Sequence, residues 1–158
     1  MNKILVKIII VFFVISASAC SYKPIFSEKE YGFEIEEIIL NGDNNINRII
    51  NNKLKFIKST GKKEKKKYII EINSEKKIEI VSKDSKGDPL KFEMNILIEY
   101  SVINDGDILM TSNIKKDNIY NNDSDQFELE QTEDIILQNL SDNASDIIIS
   151  SIINLDDN

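Results

Sequence analysis

The clearest hydrophobic pattern in the chain is an alternation of apolar and polar residues over positions 90–102. Every even position there is apolar, whereas the odd positions are polar or charged except at Leu97. This period of two predicts a long strand with one buried face. Turn formers follow at 104–107, with Gly106 able to adopt positive φ, and Ile108, Met110 and Ile114 then predict a returning strand. The second half of the chain is therefore predicted to contain a β-hairpin.

Two further strands are predicted upstream of this hairpin. Residues 33–40 form a first apolar-rich strand, which ends at the turn formers 42–44. A second alternation runs over residues 68–80, and its apolar positions keep a single phase: Tyr68, Ile70, Ile72, Ile78 and Ile80. The constant phase favours one long strand over two strands separated by a turn near Asn73 and Ser74. Residues 83–89 predict the loop that leads into the strand at 90–102.

Two segments show the apolar spacing of an amphipathic helix. The first carries Ile46, Ile49, Ile50, Leu54 and Ile57, with Asp43 or Asn44 as its N-cap and Gly61 at its end. The second runs from about Glu128 to Leu155, after a polar, turn-like stretch at 118–125. Its apolar stripe comprises Leu137, Leu140, Ala144, Ile147, Ile148, Ile152 and Leu155. Acidic residues crowd its first turns, where the helix dipole favours negative charge.

The predicted element order is β-α-β-β-β-α. Because each helix has one apolar stripe and the strand at 90–102 has one apolar face, the elements pack most simply as two layers. The fold class is α+β, with two helices packed on one face of a four-stranded, mostly antiparallel sheet. The open face of the sheet carries Lys91, Glu93 and Glu99. Residues 33–155 form the single predicted domain, preceded by a linker at 20–32 and followed by a tail at 156–158.

The first nineteen residues have the organisation of a secretory signal. Lys3 and Lys7 supply positive charge, residues 4–15 are apolar except at Lys7, and residues 16–19 are small. The apolar segment is shorter than the roughly 20 residues that a membrane-spanning helix needs. Cys20, the single cysteine of the chain, follows Ala19 directly. This arrangement resembles a bacterial lipobox, which predicts a signal peptide at 1–19, cleavage between Ala19 and Cys20, and lipidation of the Cys20 thiol.

Lipidation would hold the mature chain on a membrane, because several acyl chains give durable anchoring. Ser21 follows the cysteine in place of the aspartate that retains lipoproteins at the inner membrane. The predicted location is thus the periplasmic face of the outer membrane. An ordinary cleaved signal and an uncleaved apolar anchor are the two alternatives for residues 1–20.

The composition argues against most enzymatic chemistry. The chain has no histidine, and its single cysteine is assigned to the lipid. It also has no glycine-rich phosphate loop and no nucleophile-elbow serine. Paired carboxylates at Glu36 and Glu37, or at Asp123 and Asp125, could in principle serve a hydrolase, but they are more typical of solvated surface acids. We therefore expect no enzyme, no cofactor and no metal site.

The charge of the mature chain, 18 basic and 27 acidic residues, is unevenly distributed along it. Residues 48–91 carry a net charge of +8, and residues 92–158 carry a net charge of −13. Two basic groups could face an anionic ligand: the run at 62–67, and the trio Lys83, Lys86 and Lys91 around the predicted loop. The export signal and the acidic total disfavour nucleic acid as a partner. Both groups could instead be solvated surface lysines.

Residues 20–26, with the sequence Cys-Ser-Tyr-Lys-Pro-Ile-Phe, are similar to the Cys-Gly-Phe-x-Pro-Leu-Tyr opening of the lipopolysaccharide-assembly lipoprotein family LptE, especially its alphaproteobacterial forms. Ser21, Ile25 and Phe26 are conservative departures from that motif. The family fold is two helices on a four-stranded sheet, which matches the predicted element order. Tyr120 and Asn121 also resemble a Tyr-Asn segment that precedes the last helix in the family.

The resemblance implies a function. Members of this family sit inside the large outer-membrane β-barrel LptD, help it assemble and assist delivery of lipopolysaccharide to the outer leaflet. Partners implied by the resemblance are therefore an LptD-type barrel and lipopolysaccharide. The basic residues by which the family contacts lipopolysaccharide have no individual match in this sequence. We expect Lys83, Lys86 and Lys91 to contact its phosphates because of their place around the predicted loop. The alternatives are an accessory lipoprotein of another envelope lipid transporter and a lipid-tethered periplasmic hydrolase that uses carboxylates.

Overall fold

The computed structural model describes residues 32–55 and 65–156 of the 158-residue chain. Its elements follow the order β-α-β-β-β-α. The strands are β1 (Phe33–Gly42), β2 (Lys66–Lys83), β3 (Pro89–Asn104) and β4 (Asp107–Asn121). The helices are α1 (Asn44–Lys55) and α2 (Gln126–Asp156). The α+β class and the element order predicted from the sequence are confirmed.

The four strands form one mixed sheet in the order β1-β2-β3-β4. β1 runs parallel to β2, because α1 carries the chain back to the end of the sheet where β1 begins. The other two pairs are antiparallel hairpins, so the sheet is mostly antiparallel, as expected. β2 is continuous through Asn73 and Ser74, which confirms one long strand there.

Both helices pack on the same face of the sheet, α1 against β1 and β2, and α2 against β3 and β4. The core lies between these two layers. Both layers contribute fully buried aliphatic residues to it. They include Ile46 and Ile50 of α1, Ile148 and Ile152 of α2, Ile70 and Ile72 of β2, and Ile96 and Ile98 of β3. Burial of each such side chain contributes about 1.5–3 kcal/mol, so the two-layer core is the main source of stability.

The junction of β1, α1 and β2 is fixed by polar contacts. The Asp43 carboxylate accepts hydrogen bonds from the backbone N–H groups of Asn45 and Ile46 at 2.9 and 3.0 Å, so Asp43 is the N-cap of α1. Its own N–H donates to the Ser74 carbonyl at 2.9 Å. The buried Ser74 hydroxyl donates to Asn47 Oδ1 at 2.8 Å, and Asn47 Nδ2 donates to the Asn41 carbonyl at 3.0 Å. Pairing of β1 with β2 ends at this network.

One predicted boundary was wrong. The stretch at 118–125 was expected to be a turn, yet residues 118–121 belong to β4, where Tyr120 pairs with Phe92 of β3. The last helix begins at Gln126, within two residues of the expected start near Glu128, and Asp125 caps it by accepting the N–H of Phe127 at 2.9 Å. Other predictions fall outside the described residues, namely the signal at 1–19, Ala19, Cys20, most of the linker, Ile57, Gly61 and the basic run at 62–64.

Neither α1 nor α2, the helices of the described part, combines the length and the apolar composition that crossing a membrane requires.

Candidate functional site at the tip of the β2–β3 hairpin

The β2–β3 hairpin extends well beyond the first strand of the sheet. β1 pairs with β2 only as far as Ser74, and β2 continues to Lys83 with β3 as its partner. α1 begins at Asn44, next to Ser74, and runs back along the other half of the sheet. The outer half of β2 therefore projects past both β1 and α1.

The turn at the tip is held by one aspartate. The Asp84 carboxylate accepts the backbone N–H groups of Lys86 and Asp88, both at 2.8 Å. The Asp84 N–H donates to the Asp88 carbonyl at 2.9 Å, and the N–H of Gly87 donates to the Asp84 carbonyl at 3.1 Å. Gly87 adopts φ +94°, a conformation that suits glycine. These bonds give the turn a defined shape.

The structure brings the three predicted lysines together at this tip. Lys83 ends β2, Lys86 lies in the turn, and Lys91 lies near the start of β3, opposite Ser82. All three side chains are exposed, and none of them forms an ion pair within residues 32–55 and 65–156. They are consequently available to an anionic ligand.

Acidic residues lie at the same tip. Asp84 and Asp88 alternate with the lysines in the turn. The segment before α2 docks on the hairpin as well, since Asn122 donates its N–H to the Leu90 carbonyl and its Nδ2 to the Pro89 carbonyl, both at 2.9 Å. This contact holds Asn122, and with it the neighbouring Asp123, beside the start of β3. An anion bound there would meet both signs of charge.

Apolar side chains are also exposed at the projecting end of the molecule. Ile80, Val81 and Leu90 of the hairpin are 47%, 44% and 50% exposed, and Phe127 in the first turn of α2 is 62% exposed. Cationic and apolar surface side by side is suited to an amphiphilic anion, whose head group and acyl chains need different contacts.

Sequence reasoning missed that Ile78 and Ile80 would be uncovered. They share the phase of the buried Ile70 and Ile72 and were assigned to the same face. Their exposure follows from where β1 ends: β2 has 18 residues and β1 has 10, and α1 starts at the end of β1 and runs back over the other half of the sheet. The difference in length between the two strands was the available signal.

Several basic residues elsewhere are engaged with acids. Lys53 of α1 binds Asp146 of α2 at 2.9 Å, and Lys67 binds Glu36 at 3.2 Å. At the start of β2, Lys66 binds Asp156 at 3.2 Å, and this hydrogen-bonded contact raises the pKa of Lys66 above its ordinary value. Two of these three ion pairs, Lys53–Asp146 and Lys66–Asp156, therefore join the basic segment 48–91 to the acidic segment 92–158.

Three of the carboxylates considered for hydrolysis have structural partners. Glu36 is exposed on β1 and held by Lys67, and Asp123 and Asp125 serve as backbone caps at the start of α2. Among the described residues no group of three or more Cys, His, Asp or Glu is placed to hold a metal ion. The lysine tip is therefore the candidate site that the geometry favours.

Comparison with known proteins gives structural but no sequence matches. No family model and no curated protein matches the chain. The fold is similar to that of rare lipoprotein B from Shewanella oneidensis, with TM-score 0.55 and 13% identity over 74% of this chain and 93% of that one. It is also similar to an uncharacterized lipoprotein B from Nitrosomonas europaea, with TM-score 0.57 and 16% identity over 85% and 91% of the two chains. A minor lipoprotein from Acinetobacter baumannii gives TM-score 0.52 and 10% identity over 77% and 96%. The chain thus shares the fold of these bacterial lipoproteins.

Proposed function

We propose that this chain is an outer-membrane lipoprotein of the LptE type, anchored through Cys20 at the periplasmic face. In this role it plugs an LptD-type β-barrel, helps the barrel to assemble and assists insertion of lipopolysaccharide into the outer leaflet.

The observation that carries the proposal is the agreement between the opening motif and the fold. The motif at 20–26 resembles that of the LptE family, for which two helices on one face of a four-stranded sheet are expected, and the chain has this architecture. The solved structures with a similar fold are named as lipoproteins. Motif and fold are independent of each other, so their agreement supports the proposal more than either does alone.

The position of Gly32 relative to the lysine tip also supports the proposal. Gly32, the twelfth residue after Cys20 in the sequence, accepts the N–H of Lys66 at the start of β2. The lysine tip lies at the other end of β2, about 60 Å away for a strand of this length. A domain of this length that carries its exposed lysines far from Gly32 suits a chain that reaches from the inner leaflet into the barrel.

Affinity purification of the full, tagged chain from detergent-solubilised outer membranes tests the proposal. We expect a large β-barrel of the LptD type to co-purify at about one copy per chain, with a lipid on Cys20 detected by mass spectrometry. A Cys20→Ser variant is the control, because it should lose the lipid and most of the barrel.

A lipidated chain recovered without a barrel would contradict the proposed role of the chain as a plug of that barrel. The hypothesis of an accessory subunit in another envelope lipid transporter would then be favoured. A chain recovered without any lipid would contradict the lipoprotein assignment itself.

A further inference from the structure

The lysine tip contains an acid, Asp84, which lies in the sequence between Lys83 and Lys86. By its charge alone, this acid opposes the binding of an anion. We propose that Asp84 is a positioning residue, whose carboxylate fixes the turn so that the lysines of the tip are held ready for a phosphate group of lipopolysaccharide. This inference rests on the proposed function, because lipopolysaccharide supplies the phosphate.

One oxygen atom of Asp84 makes the contacts that carry the inference. Its Oδ1 accepts the backbone N–H of Lys86 and the backbone N–H of Asp88, both at 2.8 Å. Lys86 is the central residue of the turn at 84–88, so the first bond fixes the backbone from which its side chain projects. Asp88 precedes Pro89, which pairs with Lys83, so the second bond connects the turn to the start of β3.

The two acids of the turn differ in what their carboxylates do. Asp84 is partly buried, and its carboxylate is bound by the turn. Asp88 is exposed, and within the described residues it contributes only backbone groups, its N–H to Asp84 Oδ1 and its carbonyl to the N–H of Asp84. The chain therefore offers one acid that can act through geometry and a neighbouring acid that acts through charge alone.

A turn that is ordered before the ligand arrives favours binding, because less conformational freedom is lost on association. Without the Asp84 carboxylate, the turn would keep two backbone hydrogen bonds, from Asp84 N–H to the Asp88 carbonyl and from Gly87 N–H to the Asp84 carbonyl. The paired strands on both sides would also remain. Removal of the carboxylate should therefore loosen the backbone of Lys86 while the hairpin stays folded.

An amide at position 84 separates the effect of geometry from the effect of charge. Asparagine has nearly the shape of aspartate, and its Oδ1 accepts hydrogen bonds, but it carries no charge. Asp84→Asn removes the charge and keeps the acceptor, whereas Asp84→Ala removes both. Because the two variants have the same net charge, the ratio of their affinities reports the positioning effect.

The test measures the dissociation constant of the full, detergent-solubilised chain for purified lipopolysaccharide. We expect Asp84→Asn and the control Asp88→Ala to bind about twofold more tightly than the original chain, because each loses a charge that repels phosphate. Asp84→Ala should bind about fivefold more weakly than Asp84→Asn. This fivefold ratio should persist at high salt, which screens charges but does not restore the turn.

Nuclear magnetic resonance relaxation gives the direct readout of the turn. The backbone order parameter of Lys86 should fall in Asp84→Ala and stay near the original value in Asp84→Asn. Urea unfolding should give similar free energies of unfolding for both variants, and a large loss in Asp84→Ala alone would show a structural role in place of the positioning role.

Two results separate failure of the inference from failure of the proposed function. If Asp84→Ala and Asp84→Asn bind lipopolysaccharide equally, or if Lys86 is equally ordered in both, the positioning role is overturned while lipopolysaccharide binding stands. If the original chain does not bind lipopolysaccharide, the positioning role and the proposed part in lipopolysaccharide insertion are overturned together.

Discussion

At the level of single residues, the junction at Ser74 decides where the first strand stops. The Ser74 carbonyl accepts the N–H of Asp43, and its hydroxyl donates to Asn47, so one buried serine connects β2 to both β1 and α1. The approach of the two chains is close. A Cβ atom on Gly42, at φ +93°, would lie on top of the Ser74 carbonyl. Only glycine fits at that position.

We predict that Gly42→Ala destabilises the chain strongly. The variant adds both the strain of positive φ and a backbone clash, for an expected loss of about 3 kcal/mol in the free energy of unfolding. Gly87→Ala is the matched control, since Gly87 has φ +94° but a Cβ added there would meet no other atom within 4 Å. It should cost only about 1 kcal/mol. Urea unfolding measures both values, and equal losses would show that the close approach at Ser74 does not matter.

At the level of elements, β4 and α2 are joined by a hydrogen bond from the Tyr120 hydroxyl to Glu133 Oε1 at 2.6 Å. The ring of Tyr120 also packs against Phe92 of β3, with centroids 5.7 Å apart. Burial, followed by the contact with Glu133, raises the pKa of Tyr120 above its ordinary value of 10. This contact secures the outer end of α2 against the sheet.

We predict that Tyr120→Phe lowers the free energy of unfolding by about 1–2 kcal/mol at pH 7, because the hydrogen bond to a carboxylate is lost. The raised pKa means that the folded chain holds the proton more tightly than the unfolded chain. The contribution is therefore complete below about pH 10 and falls as the pH rises above it. The free energy of unfolding of the Tyr120→Phe variant should therefore decrease less between pH 8 and 11 than that of the original chain, as measured by urea unfolding. Tyr68→Phe is a necessary comparison, since burial also raises the pKa of Tyr68.

The elements that the sequence predicted well are those whose burial is regular. β3 alternates strictly because one of its faces is covered along its length, and Asp43 was recognisable as a cap. The last residues of β4 were not predictable, because Asn118 and Asn121 are exposed on an edge strand and leave no hydrophobic pattern. Their pairing is dictated by β3. The tip of the hairpin was predicted as a basic loop, but the docking of Asn122 beside it depends on tertiary contacts that no local pattern encodes.

At the level of the whole molecule, unequal element lengths separate a covered half from a projecting half. In the half between Gly32 and Ser74 both helices cover the sheet, and the N–H of Lys66 binds the Gly32 carbonyl at its end. The projecting half carries the lysine tip and the exposed apolar side chains. The core continues under α2 into the projecting half, where Met94, Ile96 and Tyr120 are buried, whereas the lysines of the tip are exposed. Substitutions of these exposed lysines should therefore leave folding intact.

We predict that a Lys83→Glu, Lys86→Glu, Lys91→Glu variant binds lipopolysaccharide about tenfold more weakly while it still associates with the barrel. The acids at Asp84 and Asp88 already reduce the local positive charge, so the exchange should leave a strongly negative tip that repels phosphates.

The matched control is Arg48→Glu, Lys55→Glu, Lys115→Glu, which makes the same change in net charge at exposed positions elsewhere. Binding of purified lipopolysaccharide is measured at low and high salt, and the difference should shrink as salt screens the charges. If both triple variants weaken lipopolysaccharide binding equally, the effect comes from the net charge of the chain and contradicts a site at the tip. If the tip variant binds as well as the original chain, the three lysines are not the binding site.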